Sequence, residues 1–420
     1  MSSMRIAYFS TEYPPLIYGG LGVYADNISR SLVALGQEVT VFSWGSEKTP
    51  RHERMSGVEV FRERPLPMRE GLEIFLSPQT LGWGEGLDYL LNLFCYNQLA
   101  LDRLMQEGGF DLIVAHDWLA LPGGMAARRS GIPLIYHVHG LEAGRSSRPN
   151  PQLIALEHKG AEVADLVITV SEAMKRELAG LGVQPDKIRV CYHGVDCDFF
   201  DPDKVDKRSL AALRERYGFD EDDIVILFVG RLEPVKGIRE LFAALPRVRA
   251  EHNRIKLLVL GVGSLEDWAM DEARRQGNIT LVTDFVSAEE KRLFYALADL
   301  CVFPSLYEPF GIVALEAAAM GRAAVVGAAG TSGLAEIVRN PGEDEPTGVH
   351  VNARDPADLA WGINLALENR ERLEAWGRNG RKRAQTAFSW QKAAESTLAI
   401  YEEAIALCQD RSQRIQACPR

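Results

Sequence analysis

Pro304-Ser-Leu-Tyr-Glu-Pro-Phe-Gly-Ile-Val-Ala-Leu-Glu-Ala-Ala-Ala-Met-Gly321 follows the apolar run Leu300 to Phe303, turns through proline and glycine, and enters an alanine-rich stretch. A short, continuously apolar run predicts a strand buried on both faces, and the stretch behind it predicts a buried helix. Working outward, the same rhythm recurs in Ile224 to Val229, Lys256 to Leu260, Ile279 to Val282, Ala323 to Val326 and Gly348 to Val351. Earlier in the chain it recurs in Ile6 to Ser10, Val39 to Phe42, Leu112 to Ala115, Leu134 to Val138, Leu166 to Val170 and Ile188 to Tyr192. Strands alternating with helical stretches give the α/β class, with parallel sheets covered by helices on both sides.

The turn-rich segment His193 to Pro202, with the charged stretch to Asp223 behind it, separates the two series. The expected organisation is therefore two Rossmann-like domains, residues 1–195 and 196–390, facing each other across a cleft. A chain of 420 residues exceeds what one core usually supports, which agrees with two domains. Helix starts are marked at Ser287-Ala-Glu-Glu290, which has capping-box spacing, and at Asp355-Pro-Ala-Asp358. A long last helix is predicted from Ser389 through Tyr401.

Composition excludes some functions. The apolar share of 46% and charged share of 25% are those of a globular protein. A net charge of -11 argues against sequence-independent nucleic-acid binding. The six cysteines are scattered and lack zinc-site or redox spacing, so reduced thiols are expected. The first residues turn polar too quickly for a leader or a spanning helix, which places the protein in the cytoplasm, without an integral membrane segment. Oligomeric state is not legible.

In an open α/β sheet, ligands bind at the carboxyl ends of strands, where Glu308 falls. Eight residues of helix span roughly 12 Å and return to nearly the same side, so Glu316 is expected to hold the far end of an extended ligand. Glu316 sits in an apolar run, and a lone buried carboxylate costs several kcal/mol unless hydrogen-bonded; a ligand or a cleft is the expected partner. The amides of Phe310, Gly311 and Ile312 open the helix and favour a phosphate or a sugar oxygen. In Phe228-Val-Gly-Arg231-Leu-Glu-Pro-Val-Lys236-Gly, Arg231 and Lys236 flank another strand-to-helix turn and can hold a diphosphate without a metal.

Toward the N-terminus, Glu12-Tyr-Pro-Pro-Leu-Ile-Tyr-Gly19-Gly20-Leu-Gly22 leads into a helix reaching about Leu35, and its glycines let the backbone approach an anion. The loop is too long for a dinucleotide fingerprint. His137 and His139 alternate to one side of their strand, and His139, beside Gly140 past the strand end, is the candidate ligand residue. Gly261-Val-Gly263 is a further candidate contact through Gly263. Asp220-Glu-Asp222 imitates a metal-binding carboxylate pair but reads as a solvated turn, so no metal site is expected.

These residues together resemble the retaining glycosyltransferases of family four, the glycogen synthase-like group with the GT-B fold. The resemblance covers nearly the whole chain. It implies that the Gly20 amide, in the substrate-binding Gly19-Gly20 loop, holds the diphosphate of a nucleotide-sugar donor with Arg231 and Lys236. It implies further that Glu316 holds the ribose, that Glu308 and His139 hold the donor hydroxyls, and that Phe285 and Val286 lie near the base. The last helix, about residues 391–410, is expected to cross back onto the first domain. No cofactor beyond the donor is implied, and a carbohydrate acceptor is.

Two departures accompany the resemblance. The related starch and glycogen synthases carry a lysine where this chain has Ile17, and the proline common after Gly321 is replaced by Arg322-Ala323. His116-Asp117-Trp118-Leu119 and Thr331-Ser-Gly-Leu-Ala-Glu336 resemble the α-glucan branch, which implies glucose as the sugar, on uracil or adenine, and a glucan or small glucoside as acceptor. A mannosyl- or other hexosyltransferase acting on a lipid or small molecule is the alternative, and an epimerase or non-catalytic relative a further one. Trp83, Tyr89 and Trp118 are suited to stacking on sugar rings or to core packing.

Overall fold

A computed structural model describes residues 3–146, 148–284 and 286–417. Contacts divide the chain into two compact units: residues 1–170, 175–191 and 393–420 form the first, and residues 171–174 and 192–392 the second.

The first unit is built on an eight-stranded sheet in the order β3-β4-β2-β1-β5-β6-β7-β8. Its strands are β1 (Arg5–Ser10), β2 (Glu38–Trp44), β3 (His52–Met55), β4 (Val58–Glu63), β5 (Leu112–His116), β6 (Leu134–Val138), β7 (Leu166–Thr169) and β8 (Ile188–Val190). All pairings are parallel except β3 with β4. All six expected strands are present. The β3–β4 hairpin was not expected, because its residues do not form an apolar run: His52-Glu-Arg-Met55 is polar and partly exposed. Arg62, the next-to-last residue of β4, is fully buried yet charged. Its guanidinium pairs with Glu53 of β3 and donates to the Pro14 carbonyl, so both terminal nitrogens are partnered, while Nε has no hydrogen-bond partner among the described residues.

The second unit repeats the plan in six parallel strands, ordered β11-β10-β9-β12-β13-β14. They are β9 (Ile224–Val229), β10 (Ile255–Leu260), β11 (Ile279–Val282), β12 (Leu300–Phe303), β13 (Ala324–Gly327) and β14 (Gly348–Val351). All six match the apolar runs to within a residue or so. Residues from β9, β10, β12, β13 and β14 pack with the helices Ile238–Glu251 and Pro356–Leu367 in one apolar core. The expected caps are formed: Ser287 accepts the Glu290 amide, and Asp355 accepts that of Ala357 ahead of Pro356 at the first turn.

In both sheets the strand order reverses beside the first strand, between β1 and β5 and between β9 and β12. The loops leaving the two strands at such a reversal diverge to opposite faces and leave room for a ligand at the carboxyl edge. Parallel register aligns Ile226 of β9 with Leu300 of β12, so both strands leave by the same edge.

The last helix runs Trp390–Ala417, longer than the sequence indicated, and from Ala393 onward it belongs to the first unit. Its buried face is anchored there by polar as well as apolar contacts. The Tyr401 and Tyr8 hydroxyls lie 2.6 Å apart, the Cys191 thiol and Thr397 hydroxyl 3.1 Å, and Arg189 Nε donates to Glu403 at 2.9 Å. Tyr401 is fully buried. Tyr401→Ala is expected to destabilise the first unit by about 3–5 kcal/mol, whereas Tyr401→Phe, which removes only the hydroxyl, should cost about 1 kcal/mol. Thermal unfolding of the three proteins checks this ranking, and equal midpoints for all three would contradict it.

Candidate functional site

In the second unit, the strand exits at the order reversal carry the charged residues. After β9 the chain passes Arg231, makes a single helical turn over Pro234–Lys236, and enters Ile238–Glu251 through Gly237. Gly237 has φ +70°, and a Cβ there would stand 1.9 Å from the Pro304 carbonyl oxygen. Only glycine lets the β9 and β12 exits approach so closely. The Leu306 amide donates to the Val235 carbonyl at 2.8 Å, tying the two exits by backbone as well.

Across this contact Lys236 Nζ donates to Glu308 Oε2 at 2.6 Å, and Ser305 Oγ donates to the same oxygen at 3.1 Å. Both charged side chains are mostly buried, so the pair is much less screened than a surface salt bridge. Arg231 is exposed and, among the described residues, its guanidinium has no hydrogen-bond or ion-pair partner. One cation is thus bound to a carboxylate while the other remains free to meet an anion.

Glu308 precedes the helix, which covers only Ile312–Ala319. The geometry expected of one continuous helix between Glu308 and Glu316 therefore does not apply. A glycine at φ +108°, Gly311, intervenes and redirects the chain. Phe310 is buried against His193, their ring centroids 4.8 Å apart, so only its backbone is suited to a ligand. The amides of Phe310 and Gly311 donate to no acceptor among the described residues, and Ile312 opens the helix behind them.

Glu316 is 5% exposed, as its apolar surroundings indicated. Its oxygens are met within the protein: Lys291 Nζ donates to one at 2.6 Å and the Tyr295 hydroxyl to the other at 2.8 Å. Burial, followed by the Glu316 charge, pushes the Tyr295 phenol well above its ordinary range, so it remains a donor. The burial of Glu316 therefore has a structural explanation without a ligand. Lys291 and Tyr295 went unnoticed in the sequence, because they look like one charged and one apolar position of an ordinary helix.

Gly263 follows β10. Its loop is fastened by the Ser264 hydroxyl, which donates to Glu233 at 2.6 Å, and by the Leu232 amide on the Val262 carbonyl at 2.8 Å. Val286 is half-buried beyond β11. Phe285 lies outside the described residues. Asp220 and Asp222 are over 80% exposed and face Arg254, in keeping with a solvated turn.

In the first unit, the loop after β1 closes on an anion of its own. Glu12 Oε2 accepts the amides of Tyr18 at 2.9 Å, Gly19 at 3.0 Å and Gly22 at 3.3 Å. The glycines do bring backbone amides onto a negative charge, and that charge is the Glu12 carboxylate, seven residues before Gly19 and ten before Gly22. Gly20 opens the helix Gly20–Ala34 on the exposed side.

The exits of β5 and β6 meet in a polar cluster. Register places His116 beside His137, and His139 follows past the end of β6. His137 and His139 stack at 4.4 Å with planes 10° apart, on one side as alternation required. His116 Nδ1 lies 3.0 Å from His139 Nε2. Asp117, at φ +54°, accepts the His139 amide at 2.6 Å and the Arg145 guanidinium at 2.9 Å. A buried aspartate held in the left-handed region is costly and persists only where its contacts over-determine it. Asp117 thus positions His139, a role the sequence did not reveal. A Cβ on Gly140 would lie 2.5 Å from the same Arg145 guanidinium.

Ring nitrogens of His116, His137 and His139 lie within 4.8 Å of one another, a spacing open to a metal ion. The His116 to His139 hydrogen bond already engages one nitrogen of each. Burial pushes the His116 imidazole down to about 3, so it is neutral at ordinary pH. Its unfolded value is about 6.5; between these values the unfolded chain binds the extra proton, and stability falls as pH drops through that window. From about pH 7 to about pH 5 the native chain should lose about 2 kcal/mol more than His116→Gln. Urea denaturation at both pH values measures the difference, and an equal loss in the two proteins would contradict it.

Two family models match the chain: Glycosyltransferase Family 4 over residues 18–199 and Glycosyl transferases group 1 over residues 211–383. The glycogen synthase of Mycobacterium tuberculosis is 34% identical over 414 residues, covering 95% of this chain and 94% of that protein. A D-inositol 3-phosphate glycosyltransferase of Geodermatophilus obscurus is 32% identical over 438 residues, covering 98% and 92%. The structure of a sucrose-phosphate synthase from Thermosynechococcus elongatus superposes with a TM-score of 0.77 at 24% identity, over 96% of this chain and 99% of that one. Among the described residues no helix is long and apolar enough to cross a membrane. With two α/β units on largely parallel sheets, each bearing polar residues at strand exits, the chain belongs to the family-four glycosyltransferases, of GT-B fold and glycogen synthase-like.

Proposed function

We propose that the chain transfers glucose, with retention of configuration, from a nucleotide-diphosphate glucose to a glucan or small glucoside. The observation that carries this reading is the β9/β12 strand exit, where free Arg231, the Lys236–Glu308 pair and the Phe310 and Gly311 amides gather. Two cations and a helix start suit a diphosphate, and a carboxylate oxygen beside them suits sugar hydroxyls. The relationship to a glycogen synthase at 34% identity supports the glucan reading.

In the proposed reaction the bond from the sugar's anomeric carbon to the diphosphate oxygen breaks, and a bond to the acceptor oxygen forms on the same face. The acceptor's hydroxyl proton passes to the departing diphosphate oxygen, so no protein nucleophile is needed. Arg231 and Lys236 stabilise the charge that develops on the leaving group. Glu308 is assigned the donor hydroxyls and Glu316, whose oxygens Lys291 and Tyr295 already meet, is assigned the ribose. His139 and the Gly19-Gly20 loop contribute from the first unit, and Gly140, Gly263 and Val286 complete the assigned contacts. No metal is assigned a step.

Nucleotide-diphosphate glucoses with uracil or adenine, offered with maltooligosaccharides, should give chain elongation that survives excess chelator. Lys236→Ala should lower the rate by about 100-fold or more in a folded protein. Transfer only from another nucleotide sugar to a non-glucan acceptor would reject the glucan reading while keeping a transferase; the 32% identity to an inositol-phosphate enzyme makes inositol phosphate the acceptor to include. Near-normal transfer by Lys236→Ala would overturn the assignment of the strand exit. Sugar isomerisation without release of free nucleotide diphosphate would point to an epimerase.

A further inference from the structure

The loop that leaves β6 behind His139 is held by a buried carboxylate to which the transfer reaction assigns no part. Glu157 lies on the helix Pro151–Val163, is 4% exposed, and accepts the Glu142 amide at 2.9 Å. One turn further on, a Cβ at Gly160 would stand 2.4 Å from the Leu121 side chain, so this face of the helix is pressed onto the helix Asp117–Ala127. A leucine of similar size would fill such a position without desolvating a carboxyl group. Burial pushes the Glu157 carboxyl up to about 7; the Glu142 amide and Arg145 pull it down, while the Asp117 and Glu142 charges push it up. A polar group kept in the interior at that cost is explained by what it holds.

It holds the start of a single helical turn, Glu142–Arg145. The far end of that turn carries Arg145, whose guanidinium donates to Asp117 Oδ2 at 2.9 Å. The other oxygen of Asp117, Oδ1, accepts the His139 amide at 2.6 Å. Arg145 also covers Gly140 so closely that a Cβ there would lie 2.5 Å from its guanidinium. The turn is thus fixed at three points: Glu157 at its first amide, Asp117 at its last side chain, and the Asn150 amide, which donates to Glu142 Oε1 at 3.0 Å. Every link from Glu157 to the His139 backbone is a hydrogen bond or one helical turn, so a shift at Glu142 reaches Asp117 and His139.

We propose that Glu157 is a positioning residue for the transfer reaction: by holding the Glu142 amide it sets the turn Glu142–Arg145 and, through Arg145 and Asp117, the placement of His139. The proposal rests on the reading that His139 meets the donor sugar. Glu157 itself touches no substrate.

The test is calorimetric titration of the full chain with UDP-glucose and ADP-glucose, each beside its free nucleoside diphosphate. The ratio of the two affinities reads the sugar contacts apart from those to the nucleotide. Glu157→Leu removes the acceptor and should lower that ratio by about fivefold or more, with affinity for the free diphosphate changed by less than about twofold. Glu157→Gln keeps a carbonyl oxygen for the Glu142 amide and should hold the native ratio to within about twofold. Arg145→Met breaks the far end of the same path at an exposed residue, so it should fold, and it should lower the ratio in the same way. In a His139→Ala background neither substitution should lower the ratio further. An unchanged ratio in Arg145→Met or in folded Glu157→Leu, an equal loss of both affinities, or a full additional loss in the His139→Ala background would overturn the role of Glu157. A native ratio in His139→Ala itself, or a native chain that binds neither sugar nucleotide, would instead overturn the reading of the donor site, and the proposal with it.

Discussion

Parallel strand pairing is the constraint on which the rest of this structure depends. A parallel strand must be reached by a crossover, so every strand of the second unit leaves its sheet at the same edge. Loops that are far apart in sequence are then neighbours, and whatever polar groups they carry are gathered along one rim. Lys236 and Glu308 are separated by 72 positions and lie 2.6 Å apart for this reason. The sheet's apolar strands tolerate no such groups in their middles, and the rim is the nearest place where charge can be solvated or paired.

The rim is not left loose. Gly237 lets the β9 exit press against the Pro304 carbonyl, the Leu306 amide bonds to Val235, and Ser305 shares Glu308 with Lys236. The carboxylate is thus fixed before any ligand arrives, and a fixed charge costs no reorganisation when a reaction develops charge nearby. The first unit uses the same device with different partners. Glu12 gathers three backbone amides, and Asp117 holds the His139 amide and Arg145 at once. In each case a carboxylate stiffens a strand-exit loop.

Much of this was legible in the sequence, and the parts that were not share a cause. Twelve strands were visible because each is a short apolar run, which buried parallel strands must be. The β3–β4 hairpin was invisible because its burial is satisfied by charge, Arg62 with Glu53, instead of by apolar side chains. His137 and His139 could be placed on one side of a strand by alternation alone. The partnership of His116 with His139 required the register of β5 on β6, which local pattern does not encode. Glu316 shows the same limit: its burial followed from its neighbours in sequence, but its partners Lys291 and Tyr295 come from a different helix. The helical spacing expected between Glu308 and Glu316 failed at Gly311, where a left-handed residue separates them.

The central claim is that the two strand exits of the second unit meet a donor as one unit. A double-mutant cycle on Lys236→Ala and Glu308→Ala tests it most directly, with the affinity of a nucleotide-diphosphate glucose as the readout. If the exits act together, the two losses should be strongly non-additive, with a coupling of about 1.5 kcal/mol or more. Losses that add to within about 0.5 kcal/mol would contradict the claim and show that the two groups meet the donor independently.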